Sequence, residues 1–111
     1  DAVAAAGCAP GRYQLGGRVV ISDGSAARLE DGTLAGSTLT LDRAVRSMVS
    51  FAGARVEDAL TMATEVPARL LGRTDIGRIA PGAAADLVLW DDTMQVTTTF
   101  IAGVAAYQAS A

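Results

Sequence analysis

Asp31-Gly32-Thr33-Leu34-Ala35-Gly36-Ser37-Thr38-Leu39-Thr40-Leu41-Asp42-Arg43-Ala44-Val45-Arg46 carries the passage from turn to helix on which the fold reading rests. Glu30-Asp31-Gly32 has the composition of a turn. Ser37, Thr38 or Thr40 can cap a helix start by accepting from a free backbone N–H. Leu41, Ala44, Val45, Met48, Val49 and Ala52 then recur at spacings of three and four, which predicts a helix with one apolar stripe. Gly53 is a suitable stop. Met48 belongs to the stripe, and Asp42, Arg43 and Arg46 fall on the face expected to be solvated.

Working back toward the start, Ser22-Asp23-Gly24-Ser25 reads as a hairpin turn. It would join a strand over Leu15–Ile21, rich in β-branched residues, to a return strand over Ala26–Leu29. Residues 1–14 read as loop, broken by Gly7, Pro10 and Gly11. Working forward, Val56, Ala59, Leu60 and Ala63 mark a second helix, with Glu57 and Asp58 near its positive end. Pro67 suits the first turn of a third helical piece, Ala68–Leu71, ended by Gly72. Met62 is expected in the core. From Gly77-Arg78-Ile79-Ala80 onward the signals are strands and turns: Asp86 to Trp90, Met94 to Ile101, then Val104 to Tyr107 after a turn at Ala102-Gly103. Trp90 is expected to pack between layers, and Asp86 to bond nearby backbone. The order is strands, helices, strands.

Composition narrows the function. The 111 residues suffice for one small domain. Half are apolar, but few are aromatic, and Ala and Val dominate. Small residues bury little area each, so this chain does better packed against further polypeptide. Together with an opening run, Asp1-Ala2-Val3-Ala4-Ala5-Ala6-Gly7, that has no helix start signal, this suggests the tail of a larger enzyme. The net charge is −3 and every cation is Arg. No basic stripe exists to meet phosphates, so nucleic acid is not an expected partner. Cys8 is the lone cysteine, which excludes an internal disulfide and suits the cytoplasm. No apolar run approaches the ~20 residues of a membrane span.

The chain has no His. That removes Ser-His-Asp and Cys-His catalysis and a His-based zinc site from within it. Without Lys there is also no phosphate-binding GxxxxGK[ST] loop. Any metal ligands are therefore expected elsewhere. Asp1 admits two readings. It is an ordinary loop acid, or it is a catalytic carboxylate at the C-terminal end of a barrel strand, placed to take and return a proton. Leu34-Ala35-Gly36 also admits two: a loop of small residues that lets Ser37 and Thr38 cap the next helix, or a ligand loop that presents free backbone N–H groups. Cys8 is a passive thiol or a neighbour of the site.

Asp1-Ala2-Val3-Ala4-Ala5-Ala6-Gly7, Tyr13-Gln14-Leu15-Gly16-Gly17, the block from Asp31 to Arg46, Ala59 to Thr64 with Pro67 to Gly72, and Gly77 to Gly82 with Ala85-Asp86-Leu87-Val88 together resemble the C-terminal third of the N-acetylglucosamine-6-phosphate deacetylases, a family within the amidohydrolase superfamily. The last motif is generic to amidohydrolases. Gly32-Thr33-Leu34-Ala35-Gly36-Ser37 is the more specific one.

The resemblance implies an α/β fold class: a metal-dependent (β/α)8 barrel of the TIM type with a small β-sandwich beside it. Residues 1–76 would hold the last strand end and outer helices of the barrel, with a β-hairpin insertion at about 15–29. Residues 77–111 would return to the sandwich. The resemblance also implies that Asp1 is the catalytic acid/base and that Leu34, Ala35 and Gly36 contact substrate, mainly through backbone. A divalent ion, zinc or similar, would be held by a Glu and two His upstream of this segment, none of them present here. The implied reaction gives glucosamine 6-phosphate and acetate. The implied partners are the amino-sugar phosphate, the rest of the polypeptide and a second copy in a homodimer. Two alternatives stand beside this: another amidohydrolase, such as a cyclic amidase or deaminase, and a non-catalytic β-rich interaction module.

Overall fold

A computed structural model describes residues 1–110 of the chain. The fold is mixed α/β, and its backbone contacts divide into two units, Asp1–Ala44 and the residues from Val45 onward.

The first unit is built on a four-stranded antiparallel meander, β1 (Gly11–Leu15), β2 (Arg18–Ser22), β3 (Ala27–Leu29) and β4 (Leu34–Gly36), paired in chain order. The expected single strand over Leu15–Ile21 does not form. Gly16 and Gly17 sit at φ of 55° and 79°, and Leu15 pairs with Arg18 across them. Two successive positive φ values make the tight hairpin turn whose twist matches its strands, and glycine adopts them without steric cost. The expected loop at 11–14 is therefore β1, held at its edge by an Arg12–Glu30 ion pair and a hydrogen bond from the Tyr13 hydroxyl to the Ala9 carbonyl.

The turn at Asp23 forms as expected and joins β2 to β3. Asp23 Oδ1 accepts from the amides of Ala26 and Ser25 and from Ser25 Oγ, all at 2.8 Å. Those donors favour the ionised form and hold the Asp23 carboxyl down to about 2, with the Ala26 amide the largest cause. One face of the sheet is dry. Val20 and Ala27 are buried there with Val3 and Ala5 from the opening segment, and Tyr13, Leu29 and Ala35 pack against them. The opposite face is open, with Ile21 40% exposed, as in antiparallel sheets covered on one side.

Helix α1 spans Leu41–Ser50, shorter than the stripe to Ala52 suggested. Its last turn closes when the Ala54 amide donates back to the Met48 carbonyl at 3.1 Å. In the second unit, α2 (Val56–Ala63) lies where expected, and α3 spans Glu65–Leu70. Pro67 is thus the third residue of α3 rather than the first; no residue of a first helical turn needs its N–H for the ladder, so the ring is tolerated. Ala59 and Ala68 are the buried residues of these helices, whereas Met62, expected in the core, is half exposed. Gly77–Ala80 is not a strand. It is irregular, with Ile79 90% exposed.

A three-stranded antiparallel sheet follows: β5 (Leu87–Trp90), β6 (Val96–Ile101) and β7 (Val104–Gln108). Asp91 organises the β5–β6 turn, its Oδ1 accepting from the Thr93 and Gln95 amides and the Thr93 hydroxyl. The same donors, with Gln95 first, lower the Asp91 pKa. Arg46 reaches from α1 to this turn and donates to the Met94 carbonyl at 2.9 Å. Asp86 does not bond nearby backbone as expected. It accepts from the Ala102 amide at 2.8 Å, sixteen residues on, while Gly103 donates to the Ala85 carbonyl at 2.9 Å. The Ala85-Asp86-Leu87 motif therefore clamps the β6–β7 turn. Among the described residues, no helix is long and apolar enough to cross a membrane.

Candidate functional site

The site candidate lies within the first unit and begins with main chain. The Ser37 amide donates to the Asp1 carbonyl at 2.8 Å, and the Val3 amide donates to the Ser37 carbonyl at 3.0 Å. These bonds make a parallel bridge between Ala2 and Ser37. The opening segment thus runs beside the end of β4, and the Asp1 side chain lies next to Gly36.

Leu34-Ala35-Gly36, expected as a loop, is strand β4, and the alternation of a strand divides its roles. Leu34 and Gly36 line a shallow cavity of about 270 Å³. Ala35 does not line it and packs against the dry core instead. Asp1, exposed, lines the same cavity, as do Ser37, Thr38 and Leu39. The sequence-derived candidates Asp1, Leu34 and Gly36 are therefore gathered at one place, and Ala35 stands behind them.

The polar groups of the wall are satisfied where buried. Thr38, 8% exposed, donates from Oγ1 to the Ser25 carbonyl at 3.1 Å. Ser37 Oγ accepts from the Leu39 amide at 3.0 Å, a local turn ahead of α1 and not a cap on the free N–H groups of the helix. The Asp1 carboxylate is the acidic group lining the cavity.

Arg43 also lines the cavity, together with Ser25 and Ala26. Sequence reasoning placed Arg43 on the solvated face of the helix. Its place in the first turn of α1, directly after the Thr33–Ser37 block, was the signal available, since a first-turn side chain lies beside the segment that leads into the helix. Cys8 is exposed, donates to the Ala4 carbonyl and does not line the cavity.

The residues present do not make a metal centre. The chain has no His, and among the described residues no group of three or more His, Cys, Asp or Glu is placed to hold an ion.

A model of the amidohydrolase family matches residues 19–106. The chain is 42% identical over 104 residues to the N-acetylgalactosamine-6-phosphate deacetylase of Escherichia coli O157:H7, covering 93% of this chain and 28% of that protein. The N-acetylglucosamine-6-phosphate deacetylase of Thermotoga maritima superposes with a TM-score of 0.85 at 38% identity, over 98% of this chain and 30% of that one. The enzyme of the same name from Mycobacterium smegmatis, solved in complex with N-acetyl-D-glucosamine-6-phosphate, superposes with a TM-score of 0.80 at 38% identity, over 94% of this chain and 28% of that one. The chain thus spans less than a third of the length of each of these proteins.

Proposed function

The chain belongs to the amidohydrolase family, and from that premise we propose that it is a section of a deacetylase that converts N-acetylglucosamine 6-phosphate to glucosamine 6-phosphate and acetate. The observation that carries this reading is the meeting of Asp1 with Leu34 and Gly36 around one cavity. Similarity to deacetylases of two N-acetylhexosamine 6-phosphates over most of the chain supports it.

In this reading residues 1–76 are the end of a (β/α)8 barrel, with the hairpin at about 15–29 as an insertion near its mouth, and residues 77–111 are strands of a small β-sandwich. Asp1 then stands where barrel enzymes place catalytic groups, at the C-terminal end of a strand. Its carboxylate takes a proton from the water that attacks the acetamide carbonyl carbon. It returns that proton to the nitrogen as the C–N bond breaks, so the amine leaves neutral. The second water proton leaves with the acetic acid and ionises in solution. Leu34 and Gly36 hold the substrate beside Asp1, the latter through its backbone, and Ala35 supports them from the core side.

A divalent ion fits the family, but the donors for it do not lie among the described residues. They belong to the remainder of the polypeptide, as do the groups that grip the phosphate. A homodimer and a cytoplasmic location complete the proposal. The 42% identity to a galactosamine-type relative favours testing a second substrate, the C4 epimer.

The test is acetate release by the complete polypeptide from both N-acetylhexosamine 6-phosphates and from the unphosphorylated sugars. Turnover of a 6-phosphate well above that of its unphosphorylated counterpart is expected. Hydrolysis of a cyclic amide or deamination of a base, with no acetate from either phosphate, would replace this reading with another amidohydrolase activity.

A further inference from the structure

We propose that Gly36 is a positioning residue for the Asp1 carboxylate, acting by the absence of a side chain on the strand against which Asp1–Val3 is bridged. This rests on the reading of Asp1 as the proton-transfer group and adds a role for Gly36 distinct from touching substrate.

The argument is steric. A Cβ at Gly36 would stand 2.6 Å from Val3 Cγ1, 3.0 Å from the Asp1 carbonyl oxygen and 3.6 Å from Asp1 Oδ1. The first two distances are shorter than ordinary carbon contacts, and both belong to the segment that carries the carboxylate. Val3 is 8% exposed and lies in the core cluster, so it has little room to retreat. The Asp1 carbonyl is fixed by the Ser37 amide, so it cannot move without losing that bond. The backbone at Gly36 also has φ of 145°, a conformation that side-chain-bearing residues rarely adopt. Any side chain here must therefore push the opening segment off β4. The carboxylate is three bonds from the displaced main chain, so it moves with it. Proton transfer depends on that placement: a shift of about 1 Å at a catalytic group can cost about a hundredfold in rate.

The experiment uses the complete polypeptide and follows kcat, KM and thermal melting for Gly36→Ala, Val3→Ala, the Gly36→Ala/Val3→Ala double variant and Val3→Ile. Gly36→Ala is expected to lower kcat by about a hundredfold with KM changed little. Removing Val3 Cγ1 in the double variant is expected to recover kcat by about tenfold, because the closest clash is gone. Val3→Ile, which keeps the glycine and enlarges the buried side chain packed against it, is expected to lower kcat in the same direction and decides the matter if Gly36→Ala does not fold: an unaltered kcat there would overturn the inference. A folded Gly36→Ala enzyme with unaltered kcat, a loss confined to KM, or a double variant no better than the single would overturn the inference. Asp1→Asn separates the two levels. If it turns over normally, the acid/base reading itself fails; if it is inactive while Gly36→Ala is fully active, only the positioning role fails.

Discussion

The Ser37 amide and the Asp1 carbonyl, 2.8 Å apart, join the first residue of the chain to the end of β4. Val3 answers from the other side, donating to the Ser37 carbonyl. The placement of Asp1 beside the cavity is therefore set by main chain. Side-chain substitutions in the wall can alter the cavity without releasing the acid, provided they do not press on the bridge.

Val20 is the largest fully buried side chain among the described residues, at 1% exposure. Its methyls fill the contact between the meander and the opening segment. Val20→Ala is expected to destabilise the first unit by about 2 kcal/mol, from lost burial and the cavity left behind. Chemical denaturation of the complete polypeptide checks this, and a loss below about 0.5 kcal/mol would mean that the sheet is not packed as described.

Arg46 ties α1 to the turn at Asp91–Gln95 through the Met94 carbonyl. Met94 holds that turn at φ of 59°, so the carbonyl's partner helps maintain an uncommon backbone conformation. Arg46→Met keeps an apolar stem and deletes the donor. A loss of about 1–2 kcal/mol is expected, read as a lower midpoint in thermal or chemical unfolding.

The Asp23 carboxyl provides a pH signature. Its pKa falls from 3.8 to about 2 because the Ala26 amide, the Ser25 amide and the Ser25 hydroxyl bond the ionised form. A carboxyl lowered on folding adds stability above its unfolded value and loses it as pH falls through the folded one. The melting-temperature gap between the native protein and Asp23→Ala should be fully open above pH 3.8 and close as pH drops toward about 2. A gap independent of pH, or an Asp23 carboxyl that titrates near 4 by NMR, would contradict this turn geometry.

The parts that were legible in the sequence are those governed by local rules. The three- and four-residue spacing from Leu41 marked α1, and Val56 to Ala63 marked α2 along its full length. The turn at Asp23 followed from Asp-Gly-Ser composition. What stayed hidden depended on pairing or on distant partners. Gly16-Gly17 was absorbed into a strand because β-branched residues follow it, and β1 went unseen because Pro10 and Gly11 punctuate its start, although Arg12 and Gln14 alternate with Tyr13 and Leu15 as on a strand. Asp86 bonds sixteen residues ahead, beyond any local rule. Met62 sits on an apolar stripe yet stays half exposed, since periodicity says which residues share a face and not what covers it. At the candidate site, Asp1 and Leu34-Ala35-Gly36 were named through resemblance, and the strand geometry that turns Ala35 toward the core was not foreseen. Neither was Arg43, because helix periodicity sorts side chains by burial and is silent on what the first turn lies beside.

The most direct measurement is kcat for Asp1→Asn in the complete polypeptide on N-acetylglucosamine 6-phosphate and its C4 epimer. Asparagine keeps the size of the side chain and cannot carry the proton. The account predicts a fall of about 10²–10⁴-fold in kcat with an unchanged melting temperature. Turnover within about twofold of the native enzyme, far short of what losing a general acid/base costs, would contradict it.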